Sequence, residues 1–316
     1  MSFLRRFLVR GVFWRQFLRW AVLNVPPWIE PAIIAFWAAF FLLWAPIRRA
    51  VMRNLKAILP GSWALANFFR CYRVLWNFAW SLSDTGRFRE MRVIPEWTFA
   101  GREHLEALRA GGGAILLTAH MGSYDLGAHL FAEVSGRRIV MVRAPEVDPQ
   151  TRAFEEQRLP DAIDTAFNTE GEALALDLLH AVRDGAIVAI QGDRMAGKIA
   201  GVPATLFGID VELPAGPFAL AMAARAPIYP VFVVRRGWRR YLLRAEQPIE
   251  VVRTRDRDAD FAEAASAWTA TLEAVIRDDW QQWFAFEALG APASRRLVRR
   301  RPAAAASRNC RRMSTW

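Results

Sequence analysis

Two cysteines in 316 residues, Cys71 and Cys310, are too few and too far apart for a disulfide framework or a zinc site. A reducing compartment is the natural fit. Histidine is also scarce, with four in the chain. His120 and His129 stand off any common metal-ligand spacing and no third ligand is obvious, so no metal is expected. There is no G-x-S-x-G elbow, which leaves Ser123 a poor nucleophile. A G-x4-G-K run from Gly192 to Lys198 lacks the Ser or Thr of a P-loop, because Ile199 follows. Acidic residues are outnumbered, 31 against 42 Lys and Arg, for a net charge of +11. Anionic lipid headgroups, an acidic carrier protein and nucleic acid are the partners this charge suits. No helix-turn-helix, zinc-finger or RNP pattern favours nucleic acid, and none is expected as a partner.

Aromatic residues are plentiful: 14 Trp and 21 Phe, concentrated in the first hundred positions. Such rings suit a membrane interface, where one end is apolar and the other wet. Residues 1–24 interleave Arg5, Arg6, Arg10, Arg15 and Arg19 with Phe and Trp, the composition of a membrane-surface helix. The arginines and the lack of a small-residue cleavage site argue against a signal peptide. After Pro26, Pro27 and Pro31, residues 31–47 are apolar over about 17 positions, the lower limit for crossing a bilayer. A monotopic anchor dipping into one leaflet is the preferred reading. A single span and a soluble core helix are the alternatives.

The stretch that organises the chain is residues 113–130, GAILLTAHMGSYDLGAHL. A short apolar run, 114–119, has the length of a buried strand. His120 ends it, and from Tyr124 the apolar positions Leu126, Leu130 and Phe131 fall at helical spacing. In an open α/β sheet that edge is where ligands bind. With Asp125 in the first helical turn, its carboxylate is expected to reach one nitrogen of His120, fix the tautomer and leave the other nitrogen to take a proton. This is the His–acid half of a triad, with the nucleophile supplied by the substrate. Taken alone, the pattern fits equally a structural histidine beside an acid that favours a helix N-terminus.

Further along, strands are expected at 93–99 (an edge, given Pro95), 138–142, 186–190, 228–234 and 239–244. Helices are expected at 48–83 (one or two), 148–159, 170–183, 214–224 and 261–286. The alternation predicts an α/β fold: a central, mostly parallel sheet flanked by helices, preceded by a hydrophobic membrane-anchoring helical segment. Three parts follow: an anchor at 1–50, a catalytic domain at 51–290 and a basic disordered tail at 291–316 with eight Arg and no acid. Asp193-Arg194 and Arg143 each follow an expected strand. A phosphate or carboxylate fork and an ordinary ion pair both fit the first, and a substrate contact and a turn arginine both fit the second.

Five stretches in order resemble the lysophospholipid acyltransferase superfamily, specifically its lipid A late-acyltransferase branch. HMGSYD fits the H-x4-D motif. Arg53-Asn54-Leu55 through Leu59-Pro60 resembles the R-x-N-L…F-P signature. Met141-Val142-Arg143-Ala144-Pro145, with Pro149 and Arg158, resembles V-Y-R-P…N-P…R. Ile190-Gln191-Gly192-Asp193-Arg194, then Phe207-Gly208 and Pro214-Ala215-Gly216-Pro217, resembles D-Q/D-R…F-G…P-A-G-P. Trp280-Gln281-Gln282-Trp283-Phe284 resembles P-E-Q-W-F. The resemblance covers roughly residues 45 to 286. Asp at position 125 and Arg after Asp193 depart from the lipid A enzymes and look more like sister groups acting on other glycolipids or lysolipids.

The resemblance implies an O-acyltransferase that moves a fatty acyl chain from an acyl carrier protein or coenzyme A thioester to a lipid hydroxyl, without an acyl-enzyme and without a metal or organic cofactor. His120 and Asp125 are the catalytic candidates. Arg143, Arg158, Asp193, Arg194, Gly122 and Ser123 are the substrate-binding candidates, with backbone amides near Gly122 as oxyanion donors. The expected setting is the cytoplasmic face of a bacterial inner membrane, against an anionic surface. The competing reading is an inactive lipid-binding or membrane scaffold protein.

Overall fold

The computed structural model describes residues 12–143, 163–168, 172–195 and 199–290. Four helices come first: α1 (Val12–Asn24), α2 (Glu30–Leu43), α3 (Ala45–Ile58) and the long α4 (Ala64–Met91). The apolar run at 31–47 is not one helix. It breaks at Trp44, an extended residue, and Pro46 sits in the first turn of α3. No single helix among the described residues is long and apolar enough to cross a membrane. The α2–α3 pair passes by length and composition but bends by 89°. These helices pack on α4 around Leu42, Leu55, Cys71 and Leu75. A buried ion pair, Arg87 with Glu30 at 3.1 Å, ties α2 to α4.

The remaining elements run β1 (Glu96–Ala100), α5 (Arg102–Ala110), β2 (Ala114–Thr118), α6 (Tyr124–Ser135), β3 (Ile139–Arg143), β4 (Ile163–Phe167), α7 (Glu172–Arg183) and β5 (Ile187–Gln191). Then come β6 (Gly201–Leu206), β7 (Ile209–Pro214), α8 (Gly216–Ala224), β8 (Ile228–Gly237), β9 (Arg240–Ala245) and α9 (Arg257–Asp278). Seven strands form one sheet in the order β1-β9-β8-β2-β5-β3-β4, while β6 and β7 form a separate hairpin. Only the β8–β9 pairing is antiparallel within the large sheet. The expected α/β architecture with a mostly parallel, helix-flanked sheet is therefore present, and β1 is an edge strand next to Pro95 as anticipated. Sequence patterning did not foresee β4 or the β6–β7 hairpin. The predicted helix at 148–159 lies outside the described residues.

Strand β2 is fully buried and its side chains alternate between two cores. Ile115 and Leu117 face α8 and α9 with Phe218 and Trp268. Ala114 and Leu116 face the other layer with Leu126 and Phe131 of α6. The element after β2 thus lies on one face of the sheet and the helix after the β6–β7 hairpin on the opposite face. A crevice opens between the C-terminal ends of β2 and β5, the topological switch point where open α/β sheets hold ligands.

Candidate active site

The register of the sheet builds the site. Thr118 of β2 pairs with Gln191 of β5. Two residues further along both strands, His120 and Asp193 therefore emerge side by side. The His120 Nδ1–H donates to Asp193 Oδ1 at 2.7 Å, and the His120 backbone N–H reaches the same oxygen at 3.2 Å. A carboxylate only accepts, so this bond sets the Nδ1–H tautomer and leaves Nε2 as the basic nitrogen. His120 lines the cavity below with its side chain 32% exposed, while the Asp193 side chain is 0% exposed. Burial alone pushes the Asp193 carboxyl upward. The charges of Arg194 and His120 and the bonds from His120 and Trp283 outweigh it, and the group is held well below the usual carboxylate range.

The closing segment braces this pair. Phe284 N–H donates to the His120 carbonyl at 2.8 Å, Gly122 N–H donates to the Gln282 carbonyl at 3.0 Å, and Met121 bridges Trp283 in antiparallel fashion. The helix expected to run to 286 instead ends at Asp278, and a 3-10 turn at Trp280–Gln282 leads into this bracing segment. Trp283 Nε1–H donates to Asp193 Oδ2 at 3.0 Å. Arg194 Nη2 spans Asp193 Oδ2 at 3.3 Å and the Phe284 carbonyl at 3.1 Å. Asn54 of the R-x-N-L stretch is buried and holds the carbonyls of Ala285 and Glu287 at 3.0 and 2.8 Å. Motifs far apart in sequence thus meet behind one histidine.

The expected His120–Asp125 contact is not made. Asp125, on the first turn of α6, takes Arg143 Nη2 on Oδ1 at 2.5 Å and Arg89 Nη2 on Oδ2 at 3.2 Å. Burial raises its carboxyl, but Arg143 and Arg89 outweigh that and hold it low. The physical reason is the neighbouring strand: β5 delivers Asp193 to the imidazole, while β3 and α4 deliver arginines to Asp125. Arg143 accordingly reaches the site through Asp125.

One further expectation changes. Gly122 N–H is committed to the Gln282 carbonyl and is not a free oxyanion donor. The glycine itself is required, since φ is +53° and a Cβ would lie 1.8 Å from the Val233 carbonyl oxygen. The Ser123 hydroxyl sits 2.6 Å from that of Thr85 and is buried. Arg158 lies outside the described residues. Trp283 and Arg89 were given no role from sequence. Trp283 stood in a recognisable Q-W-F stretch, whereas nothing local marked Arg89.

Below His120 lies a cavity of about 460 Å³. Its mouth carries Arg15 and Arg19 of α1 together with Arg89 and Arg143, and its depth is apolar, with Leu116, Met141, Ala189 and Val233. Among the described residues no group of three or more His, Cys, Asp or Glu is placed to hold a metal ion.

The fold is thus an α/β sheet that carries an acid-bonded histidine at the head of a largely apolar cavity, the kind of concave site in which ligands bind. The chain belongs to the bacterial lipid A biosynthesis acyltransferase family, whose model matches residues 2–289. It is similar to a phosphatidylinositol mannoside acyltransferase of Mycolicibacterium smegmatis, 26% identical over 170 residues, 53% of each chain. It is also similar to one of Mycobacterium tuberculosis, 25% identical over 174 residues, 50% of this chain and 55% of that protein. The chain spans about half the length of these curated relatives.

Proposed function

We propose that the protein transfers a fatty acyl chain from an acyl carrier protein or coenzyme A thioester to a hydroxyl of a phosphate-bearing glycolipid or lysolipid. The acceptor O–H gives its proton to His120 Nε2 as its oxygen attacks the thioester carbonyl. The tetrahedral intermediate collapses with cleavage of the C–S bond, and the departing thiolate takes the proton from the imidazolium. Asp193 holds the tautomer and balances the transient positive charge. No acyl-enzyme forms, and the steps require neither metal nor organic cofactor. The acyl chain occupies the apolar depth of the cavity, and the arginines at its mouth meet phosphate or carboxylate. The observation that carries this reading is the 2.7 Å His120–Asp193 bond at the head of an apolar cavity.

Acceptor and location are part of the proposal. The relatives' names support a glycosylated phospholipid acceptor. Exposed rings on the first four helices and their connections support a membrane-facing surface, with Trp28 79% and Trp63 69% exposed and Phe13, Trp20 and Phe36 also exposed. With the basic charge of the chain, this fits a monotopic seat on the cytoplasmic face of a bacterial inner membrane.

Lipid mass spectrometry on cells expressing wild type or His120→Ala at matched protein levels tests the reading. A lipid that gains one acyl mass only with wild type supports it and identifies the acceptor. Identical profiles in a host rich in glycolipid and lysolipid acceptors contradict it and favour the scaffold alternative.

A further inference from the structure

Asp193 accepts four contacts, and they divide evenly between its oxygens. Oδ1 serves His120 through both the ring and the backbone N–H. Oδ2 serves Trp283 at 3.0 Å and Arg194 at 3.3 Å. The torsion that turns an Asp carboxylate about its own axis is broad and soft, so a partner on one oxygen does not fix the plane. A second donor on the far oxygen does. Trp283 is suited to that task. It is 4% exposed, it is pinned by the antiparallel bridge to Met121, and its ring lies 6.3 Å from that of Phe207. Its indole N–H donates only and stays neutral at every pH, so it constrains the carboxylate without adding charge.

We propose that Trp283 is a positioning residue for the acyl-transfer reaction, acting through Asp193 to hold His120. The inference rests on the function proposed above. Its chemical consequence is specific. The indole competes with the imidazole for the electron density of one carboxylate. With the indole N–H removed, Oδ2 keeps only Arg194 at 3.3 Å, Asp193 becomes a stronger acceptor toward His120 and the imidazolium form is favoured. The charged and titratable groups that share this site are Asp193 and Arg194 beyond β5, Tyr124 and Asp125 on α6, Arg143 on β3, Arg89 and Glu90 on α4, and Arg15 and Arg19 on α1. Trp283 meets this set through its hydrogen bond to Asp193.

The test uses the full chain, palmitoyl coenzyme A and the acceptor lipid that the cellular comparison identifies. Two variants are compared with wild type: Trp283→Phe, and Trp283 replaced by 3-benzothienylalanine, which keeps the ring shape and swaps N–H for sulfur. The acid limb of the kcat/KM profile reports protonation of the base in the free enzyme. Expected in both is an upward move of that limb, with kcat lowered about 10- to 100-fold, the worth of one hydrogen bond to a charged group, and donor KM little changed. The sulfur analogue keeps the result interpretable should the Phe variant unfold. An analogue with wild-type kcat and an unmoved limb overturns the proposal. So does a loss of kcat with the limb unmoved, which assigns Trp283 to packing. Absence of transfer by wild type would instead overturn the proposed function, so the two failures are distinct.

Discussion

Arg143 and Asp125, eighteen residues apart, are joined at 2.5 Å, and Arg89 closes the other oxygen of the same carboxylate. The acid of the H-x4-D motif is therefore an arginine clamp at the cavity mouth. Asp125→Asn is expected to release both guanidinium groups. Turnover should suffer mainly through a raised KM for the anionic substrate, with stability lowered by roughly 1–3 kcal/mol, since the cluster is only partly exposed. Steady-state kinetics with chemical denaturation checks both. A collapse of kcat at unchanged KM would contradict the clamp.

The cavity has a legible depth. Leu116, Ala189 and Met141 stand in one row across β2, β5 and β3, one row below Thr118 and Gln191. That row lies about 13 Å along the strands from His120. Ala189→Phe should fill the lower cavity and shift donor preference toward shorter chains, at a cost of about 1–3 kcal/mol from overpacking. A competition assay with octanoyl to stearoyl thioesters reads this directly. Uniform loss across all chain lengths would place the acyl chain elsewhere.

His129 sets an acid-side signature. It is buried, stacked on Phe88 at 5.3 Å, and its Nε2 has no hydrogen-bond partner. Burial first, then Arg89, pushes its pKa down to about 4. The unfolded chain therefore binds a proton near pH 6.5 that the folded chain refuses. Its contribution is intact above pH 6.5 and is lost as pH falls toward about 4. His129→Phe should flatten this part of the stability profile, measured as denaturation midpoints between those limits. An unchanged slope would mean that other groups carry it.

What the sequence disclosed and what it hid have physical causes. The β2–His120–α6 unit was readable because a five-residue apolar strand gives way abruptly to helical spacing, with Gly122 at the turn. The α/β class followed from repeated alternation. Strand β4 escaped because its exposed and half-buried residues, Asp164 to Phe167, lack the apolar run of a central strand. The β6–β7 hairpin reads as loop because Pro203 interrupts it and Phe207-Gly208 makes its turn with two positive φ angles. Asp193 was visible as a candidate, but its partner was not. That pairing depends on β5 inserting between β2 and β3, a non-local choice that no spacing between 120 and 193 encodes.

The most direct test of the account sets Asp193→Asn beside Asp125→Asn in one assay of acyl transfer to the acceptor lipid. An amide at 193 loses the charge that holds the Nδ1–H tautomer. A fall in kcat of about 10⁴-fold at nearly constant KM is expected, the scale seen when the acid behind a histidine base becomes an amide. Asp125→Asn should keep most of its kcat. The reverse pattern, an active Asp193→Asn and an Asp125→Asn devoid of turnover at saturating substrate, would contradict the assignment of Asp193 as the partner of His120.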